Sequence, residues 1–212
     1  MTSDSIRLDE TDASILEAIS RAASDSGIEW FVCGASARVF VCEDLYGMRP
    51  GRATGDLDLG ACVDTMVEYD NLCSLLCDKY GFEPCPEAQR LKYISSGSLI
   101  DILPFGAFTG QTKTYSWGDE DKFEISVLGF EEALHSSLIL TINDTFDVRV
   151  ASYAEQFGLK LIAWDERRHA RQEHEDSRDL AYFLRHAEEW YGLEFLHDEF
   201  PSELEEFDYE IE

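Results

Sequence analysis

The chain has 212 residues with 44% hydrophobic content, including 13 Phe, 9 Tyr and 4 Trp, enough to bury one core with a modest helical extension. Its 44 Asp and Glu against 17 Lys and Arg give a net charge of -27, a field that repels nucleic acid at long range and makes a general DNA- or RNA-binding module the wrong default. No run approaches the roughly 18 apolar residues needed to cross a bilayer, and residues 1–10 lack the basic-then-apolar order of a secretion signal, so a cytoplasmic protein with no membrane partner is expected.

In chain order, Thr11 to Ser26 places Ile15, Leu16, Ile19, Ala22 and Ala23 on one face with Gly27 just beyond, the pattern of an amphipathic helix and its stop. Trp30 to Cys33 reads as a strand ending at Gly34, and Ser36 to Tyr46 as a helix that begins directly at that turn. Gly47 to Gly55 holds three glycines and a proline and is a loop; Asp56 to Leu59 then alternates acidic and apolar residues like a half-buried strand. A helix follows over Val67 to Tyr80. Leu99 to Leu103 is an apolar run broken only by Asp101 and stopped by Pro104, which we place as a strand beside Asp56 to Leu59. Further strands are expected at Thr112 to Trp117, Phe123 to Val127, Leu138 to Ile142 and Phe146 to Val150, and two helices at Tyr153 to Glu166 and Glu173 to Tyr191, joined by the basic segment Arg167, Arg168, His169, Arg171. The fold class predicted is α/β (α+β), a mixed-sheet core over 1–128, a mostly helical part over 129–195 and an acidic tail over 196–212. Six cysteines without a CxxC pair read as reduced core thiols, and the five histidines have no zinc spacing.

Side chains at i and i+2 of a strand share a face, so Asp56 and Asp58 project together while Leu57 and Leu59 enter the core. Two carboxylates that close raise one another's proton affinity unless a cation lies between them, and magnesium accepts one or two carboxylates plus phosphate oxygens. Asp101 is a single acid among Leu99, Ile100, Ile102 and Leu103, where an unpaired charge is costly, and the same cation is its expected partner. Three carboxylates on neighbouring strands suit two-metal phosphoryl transfer, with Asp56 and Asp58 holding two Mg2+ ions and Asp101 ligating the ion nearest the acceptor and helping to deprotonate its hydroxyl. Gly34, Ala35 and Ser36 open the preceding helix, where backbone N–H groups favour an anion and Ser36 is placed to bond a phosphate oxygen; a plain helix cap is the alternative reading of that segment. Arg49 and Arg52 in the following loop supply positive charge.

Cys-Gly-Ala-Ser at 33–36, Asp-Leu-Asp at 56–58 and Asp101 resemble the pattern of the nucleotidyltransferase superfamily with the DNA-polymerase-β-like fold. More closely, Arg-Ala-Thr-Gly-Asp-Leu-Asp-Leu at 52–59, Ile-Asp-Ile-Leu-Pro-Phe-Gly at 100–106 and Gly-Leu-Lys-Leu-Ile-Ala-Trp-Asp-Glu-Arg at 158–167 resemble bacterial nucleotidyltransferases related to the AbiEii toxins of type IV toxin-antitoxin systems. The resemblance covers about residues 28–185. It implies a cofactor-binding set of Gly34, Ser36, Arg52, Lys160 and Asp176, with Lys160 on the triphosphate of an NTP and Asp176 positioning that lysine or the base; Arg167 and Asp179 also match. Ala35 stands where a second Gly or Ser is usual, and Glu175 where a basic residue is usual. The expected activity is Mg2+-dependent transfer of a nucleoside monophosphate from an NTP to RNA, notably tRNA, or to a protein, with a cognate antitoxin as a further partner and no role for DNA. Two other readings stand beside it: nucleotidylation of an antibiotic of the aminoglycoside type, since acidic pockets suit cationic drugs, and a noncatalytic binding protein that retains the fold.

Overall fold

The computed structural model describes residues 4–51, 55–116, 124–167 and 173–192, together with 195, 198 and 199. The chain opens with β1 (Asp4–Ile6) and α1 (Glu10–Ser26). The Asp9 carboxylate accepts the Asp12 N–H at 2.9 Å, and Gly27, at φ 67°, closes the helix in the left-handed conformation. Next come β2 (Glu29–Cys33) and α2, regular over Gly34–Arg38 and widened to π turns over Val39–Leu45. After a loop follow β3 (Asp56–Cys62), α3 (Met66–Lys79), β4 (Phe82–Pro84), β5 (Arg90–Tyr93) and β6 (Leu99–Phe105). The chain continues through the hairpin β7 (Thr114–Ser116) and β8 (Glu124–Ser126), then α4 (Phe130–His135), β9 (Leu138–Ile142), β10 (Phe146–Val150), α5 (Tyr153–Arg167) and α6 (Glu173–Tyr191).

Eight strands form one mixed sheet in the order β1-β9-β10-β2-β3-β6-β5-β4, while β7 and β8 pair apart from it. This is the mixed α/β core with a helical C-terminal region that the sequence predicts. The sheet nevertheless crosses residue 128, because β9 and β10 pair with each other and β10 joins β2 in parallel. Short β1, β4 and β5 and the single-turn α4 were not among the expected elements: with three to six residues each, they are too short to show a period.

Pro104 does not stop β6 as expected. It sits opposite Ala61 of β3, and on the other edge β5 pairs only with Leu99, Ile100 and Asp101, so no ladder bond on that side calls for a Pro104 N–H.

The centre of the sheet sets the position of every acid. β3 lies antiparallel to β2, with Cys33 opposite Asp58, and parallel to β6, with Asp58 opposite Asp101. Asp56, Asp58 and Gly60 alternate with Leu57, Leu59 and Ala61, so the acids and Gly60 share one face. Gly60 is required there: a Cβ would meet the Phe31 ring at 2.5 Å and the rings of Phe105 and Phe130 at 3.1 Å. Those three rings pack edge-on or tilted, with centroids 5.6 to 5.8 Å apart, and anchor α4 to the strand just past the acids. On the other face, α1 and α3 bury Ile15, Leu16, Ile19, Leu72 and Leu76, and the Tyr69 hydroxyl donates to the Ile102 carbonyl at 3.1 Å. Among the described residues, no helix is long and apolar enough to cross a membrane.

Candidate active site

β2 ends at Cys33, and the chain turns into α2 through Gly34 at φ 61°. A side chain at position 34 would overlap the Asp58 carboxylate, so glycine is needed both for the backbone conformation and for the close approach of strand and turn. In return, the Ala35 N–H at the start of α2 donates to Asp58. Ser36 is 5% exposed, and its hydroxyl donates to the Asp56 carbonyl at 3.0 Å, which ties the first turn of α2 to the first residue of β3. The Ser36 hydroxyl proton is thereby committed to a bond between the turn and the neighbouring strand.

Burial raises the proton affinity of Asp58 to a pKa of about 6, and the charges of Asp101 and Asp56 push in the same direction; Lys160 and the Ala35 N–H oppose them. The adjacent Cys33 thiol is likewise held well above its ordinary range by burial and then by Asp58.

Asp101 is not partnered as the sequence suggested. The Arg90 guanidinium, directly opposite on β5, grips it with two bonds, Nε to Oδ1 at 2.7 Å and Nη2 to Oδ2 at 2.8 Å. The same Nη2 reaches over β6 to Asp56 Oδ2 on β3 at 3.2 Å. Asp101 raises the pKa of Arg90 above its already high ordinary value. Among the described residues, no three His, Cys, Asp or Glu side chains stand where they would together hold one metal ion. Asp56 and Asp58, two hard oxygen donors on one strand face, are the pair with the chemistry to hold magnesium.

A cleft of about 700 Å³ opens beside Asp58, between the α2 turn and α5. Leu103, Ile125, Phe130, Leu159 and Ile162 line its apolar side, and Lys160 and Asp179 its polar side. Lys160 lies 2.8 Å from Asp179 and 3.4 Å from Asp176, both on α6 and only 5% and 4% exposed. The lysine therefore stands between two buried carboxylates from α6 and the field of Asp58 on β3. Deeper in the cleft, Arg38 is 2% exposed; it pairs with Glu43, lies 5.2 Å from the centre of the Tyr182 ring, and fills the space over Gly51. Glu43 also accepts the Gly51 N–H at 3.1 Å, and the Tyr182 hydroxyl donates to the Arg49 carbonyl at 2.9 Å. The loop that leads to Asp56 is thereby fastened to α2 and α6.

Of the residues singled out from the sequence, Gly34, Asp56, Asp58 and Asp101 gather at one end of β3 and β6; Lys160 lines the cleft beside Asp58 from α5, and Asp176 on α6 lies 3.4 Å from that lysine. Arg52 and the basic run 168–171 lie outside the described residues, as does most of the acidic tail. Arg90 and Arg38 were missed. Arg90 carried one signal, a lone cation flanked by Gln89 and Leu91 in a stretch with no assigned element; Arg38 carried none beyond being a charge inside an apolar helix.

No family model matches the chain, and no curated protein matches it. Solved structures do resemble it at low identity. An antigenic nucleotidyltransferase-like protein from Paracoccidioides brasiliensis aligns with a TM-score of 0.49 and 19% identity over 84% of this chain and 78% of that one. The solution structure of the antibiotic-resistance factor ANT(2'')-Ia aligns with a TM-score of 0.44 and 16% identity over 95% and 97% of the two chains. A crystal structure of ANT(2'')-Ia in complex with adenylyl-2''-tobramycin gives 0.43 and 15% over 81% and 87%.

Proposed function

We propose that this chain is a magnesium-dependent nucleotidyltransferase that moves a nucleoside monophosphate from an NTP to an acceptor hydroxyl. The observation that carries the reading is the parallel register of β3 and β6. It sets Asp101 directly beside Asp58, with Asp56 on the same face and the tight Gly34 turn packed against them. Asp56 and Asp58 would hold magnesium, which when bound neutralises the triphosphate and lowers the pKa of a nearby hydroxyl. Asp101, oriented by Arg90, accepts the acceptor's proton. The acceptor oxygen bonds to the α-phosphorus as the bond to the β-phosphate oxygen breaks, and pyrophosphate leaves. Lys160, held by Asp176 and Asp179 at the edge of the cleft, meets the triphosphate charge.

For the acceptor, the charge of -27 favours a small cationic molecule of the aminoglycoside type over RNA, whose phosphates that field repels. The resemblance of segments 52–59, 100–106 and 158–167 to toxin-related nucleotidyltransferases supports the second reading, transfer to tRNA or to a protein under the control of a neutralising partner. The test is incubation with Mg2+ and each labelled NTP beside an aminoglycoside panel, total tRNA and a protein extract, for wild type and Asp58→Asn. Label on the drug that is lost in the variant supports the first acceptor; label on tRNA or protein supports the second. Absence of label on any acceptor, together with no NTP-dependent rise in melting temperature, would refute nucleotidyl transfer and leave a noncatalytic binding protein.

A further inference from the structure

α5 presents two adjoining stripes to the cleft. Gln156 and Lys160, one helical turn apart, carry the polar one: the Gln156 side-chain amide donates to the Ala151 carbonyl at 2.7 Å, and Lys160 bonds to Asp179 on α6. Leu159 and Ile162 carry the other. They reach over the start of α4, where a Cβ on Gly129 would come within 3.3 Å of both.

The strands continue the same division. Asp101 and Leu103 lie two residues apart on β6 and share a face, so the row formed by Asp58 and Asp101 is followed by the row formed by Gly60 and Leu103. An apolar floor therefore begins one residue pair beyond the acids, and Ile125 of β8 and Leu128 extend it to Leu159 and Ile162. Folding leaves these five aliphatic side chains only partly covered: Leu103, Ile125, Leu159 and Ile162 are half-buried and Leu128 is 49% exposed. Their removal from water is binding free energy held in reserve beside the acids.

Phe130, the aromatic residue among the described residues on that side, is buried and committed to the rings of Phe31 and Phe105. The wall thus offers aliphatic surface in place of a ring face on which a base would stack. We propose that this wall is the acceptor's subsite and that the acceptor is a small amphipathic molecule, its reacting hydroxyl joined to an aliphatic body. The hydroxyl then lies at the row of Asp58 and Asp101 and the body over Leu103, between β8 and α5, while the Gly34 turn and Lys160 remain for the triphosphate. The inference rests on the nucleotidyltransferase reading for the role of the hydroxyl and narrows its small-molecule acceptor. The charge of -27 admits a cationic group on that molecule; the wall calls for its aliphatic body.

Methyl, butyl and hexyl β-D-glucoside carry the same sugar hydroxyls and differ in chain length alone, so they serve as probes, titrated calorimetrically into the full chain without nucleotide. A buried methylene is worth about fourfold in affinity, and wild type is expected to bind hexyl glucoside at least about 50-fold more tightly than methyl glucoside. Leu128→Asp, at a half-exposed position, should abolish most of that gain, and Ile139→Asp, at an exposed apolar position of β9 outside the cleft, should keep it. Saturating Mg2+ and an α,β-methylene NTP should leave hexyl glucoside bound. Affinity independent of chain length in wild type overturns the inference whatever the variants do. A gain that survives Leu128→Asp or disappears in Ile139→Asp also overturns it, and competitive displacement by the NTP analogue would assign the wall to the nucleotide instead. The rise in melting temperature with Mg2+ and NTP, measured without glucoside, reports on the nucleotidyltransferase reading alone, so the two can fail apart.

Discussion

Asp58 is the most heavily loaded group in the site, and its load is measurable as stability. The pKa of about 6 in the folded chain exceeds the ordinary 3.8 because burial, Asp101 and Asp56 together outweigh Lys160 and the Ala35 N–H. At about 1.4 kcal/mol for each tenfold change in proton affinity, the ionised carboxylate is destabilised by about 3 kcal/mol. The sign follows from proton uptake. Between pH 3.8 and about 6 the folded chain binds more protons than the unfolded one, so the stability given by the protonated carboxyl is complete below 3.8 and lost as pH rises through about 6. Asp58→Asn replaces that carboxyl with a neutral group of the same shape that can still accept the Ala35 N–H. In urea unfolding with chelator present, the variant should therefore be more stable than wild type by about 3 kcal/mol at pH 8. The gain should fall to about 1 kcal/mol at pH 4.5. Magnesium at pH 8 should narrow the gap, since it favours the ionised carboxylate of wild type alone, and its binding near pH 6 should release protons. A gain independent of pH, or a variant less stable than wild type at pH 8 in chelator, would show that Asp58 is not held under electrostatic load.

Gly34→Ala places a Cβ on the Asp58 carboxylate and forces a left-handed alanine; we expect a stability loss of about 1–2 kcal/mol from the backbone alone and a fall in nucleotidyl transfer of at least 100-fold, read by urea midpoint and by label transfer. Lys160→Met removes the cation shared by Asp176 and Asp179, and we expect a loss of about 3 kcal/mol together with a rise in KM for NTP; adding Asp179→Asn should restore part of the stability but not the KM. Cys33 and Cys42 are buried, with the Cys42 thiol pushed up to about 12 chiefly by burial, so both should resist a thiol reagent at pH 8 in the native chain and react once it is denatured; fast labelling of either, located by mass spectrometry, would contradict the packing.

The long elements were legible because burial repeats along them. The apolar face of α1 and its Gly27 stop, the alternation of β3, and the extents of β9, β10 and α6 all follow from periods of 3.6 or 2 sustained over five or more residues. β1, β4 and β5 were not legible, since three or four residues at the ends of a sheet carry no period and owe their pairing to the neighbour already in place. Pro104 misled for a related reason. Its cost depends on whether a strand pairs on its N–H side, and that is decided by the length of β5, whose last residue lies eleven residues before Pro104 and which the tripeptide around Pro104 does not reveal.

The acids were legible as a set, but their charge balance was not. A lone Asp in an apolar strand announces that a positive partner exists without saying whether it is an ion or a side chain. Local sequence favours the ion, because Arg90 lies eleven residues before Asp101 and only the antiparallel β5–β6 register brings the two face to face. The same holds for Lys160: α5 shows a cation in an apolar run, while the two buried aspartates that hold it come from α6, sixteen and nineteen residues on. In both cases the sequence names the charge that has to be met, and the tertiary register chooses the partner. Where that partner is an arginine bound through both oxygens, the carboxylate is already oriented before any substrate arrives. Asp101 is thus oriented by a strand pairing that forms with the fold itself.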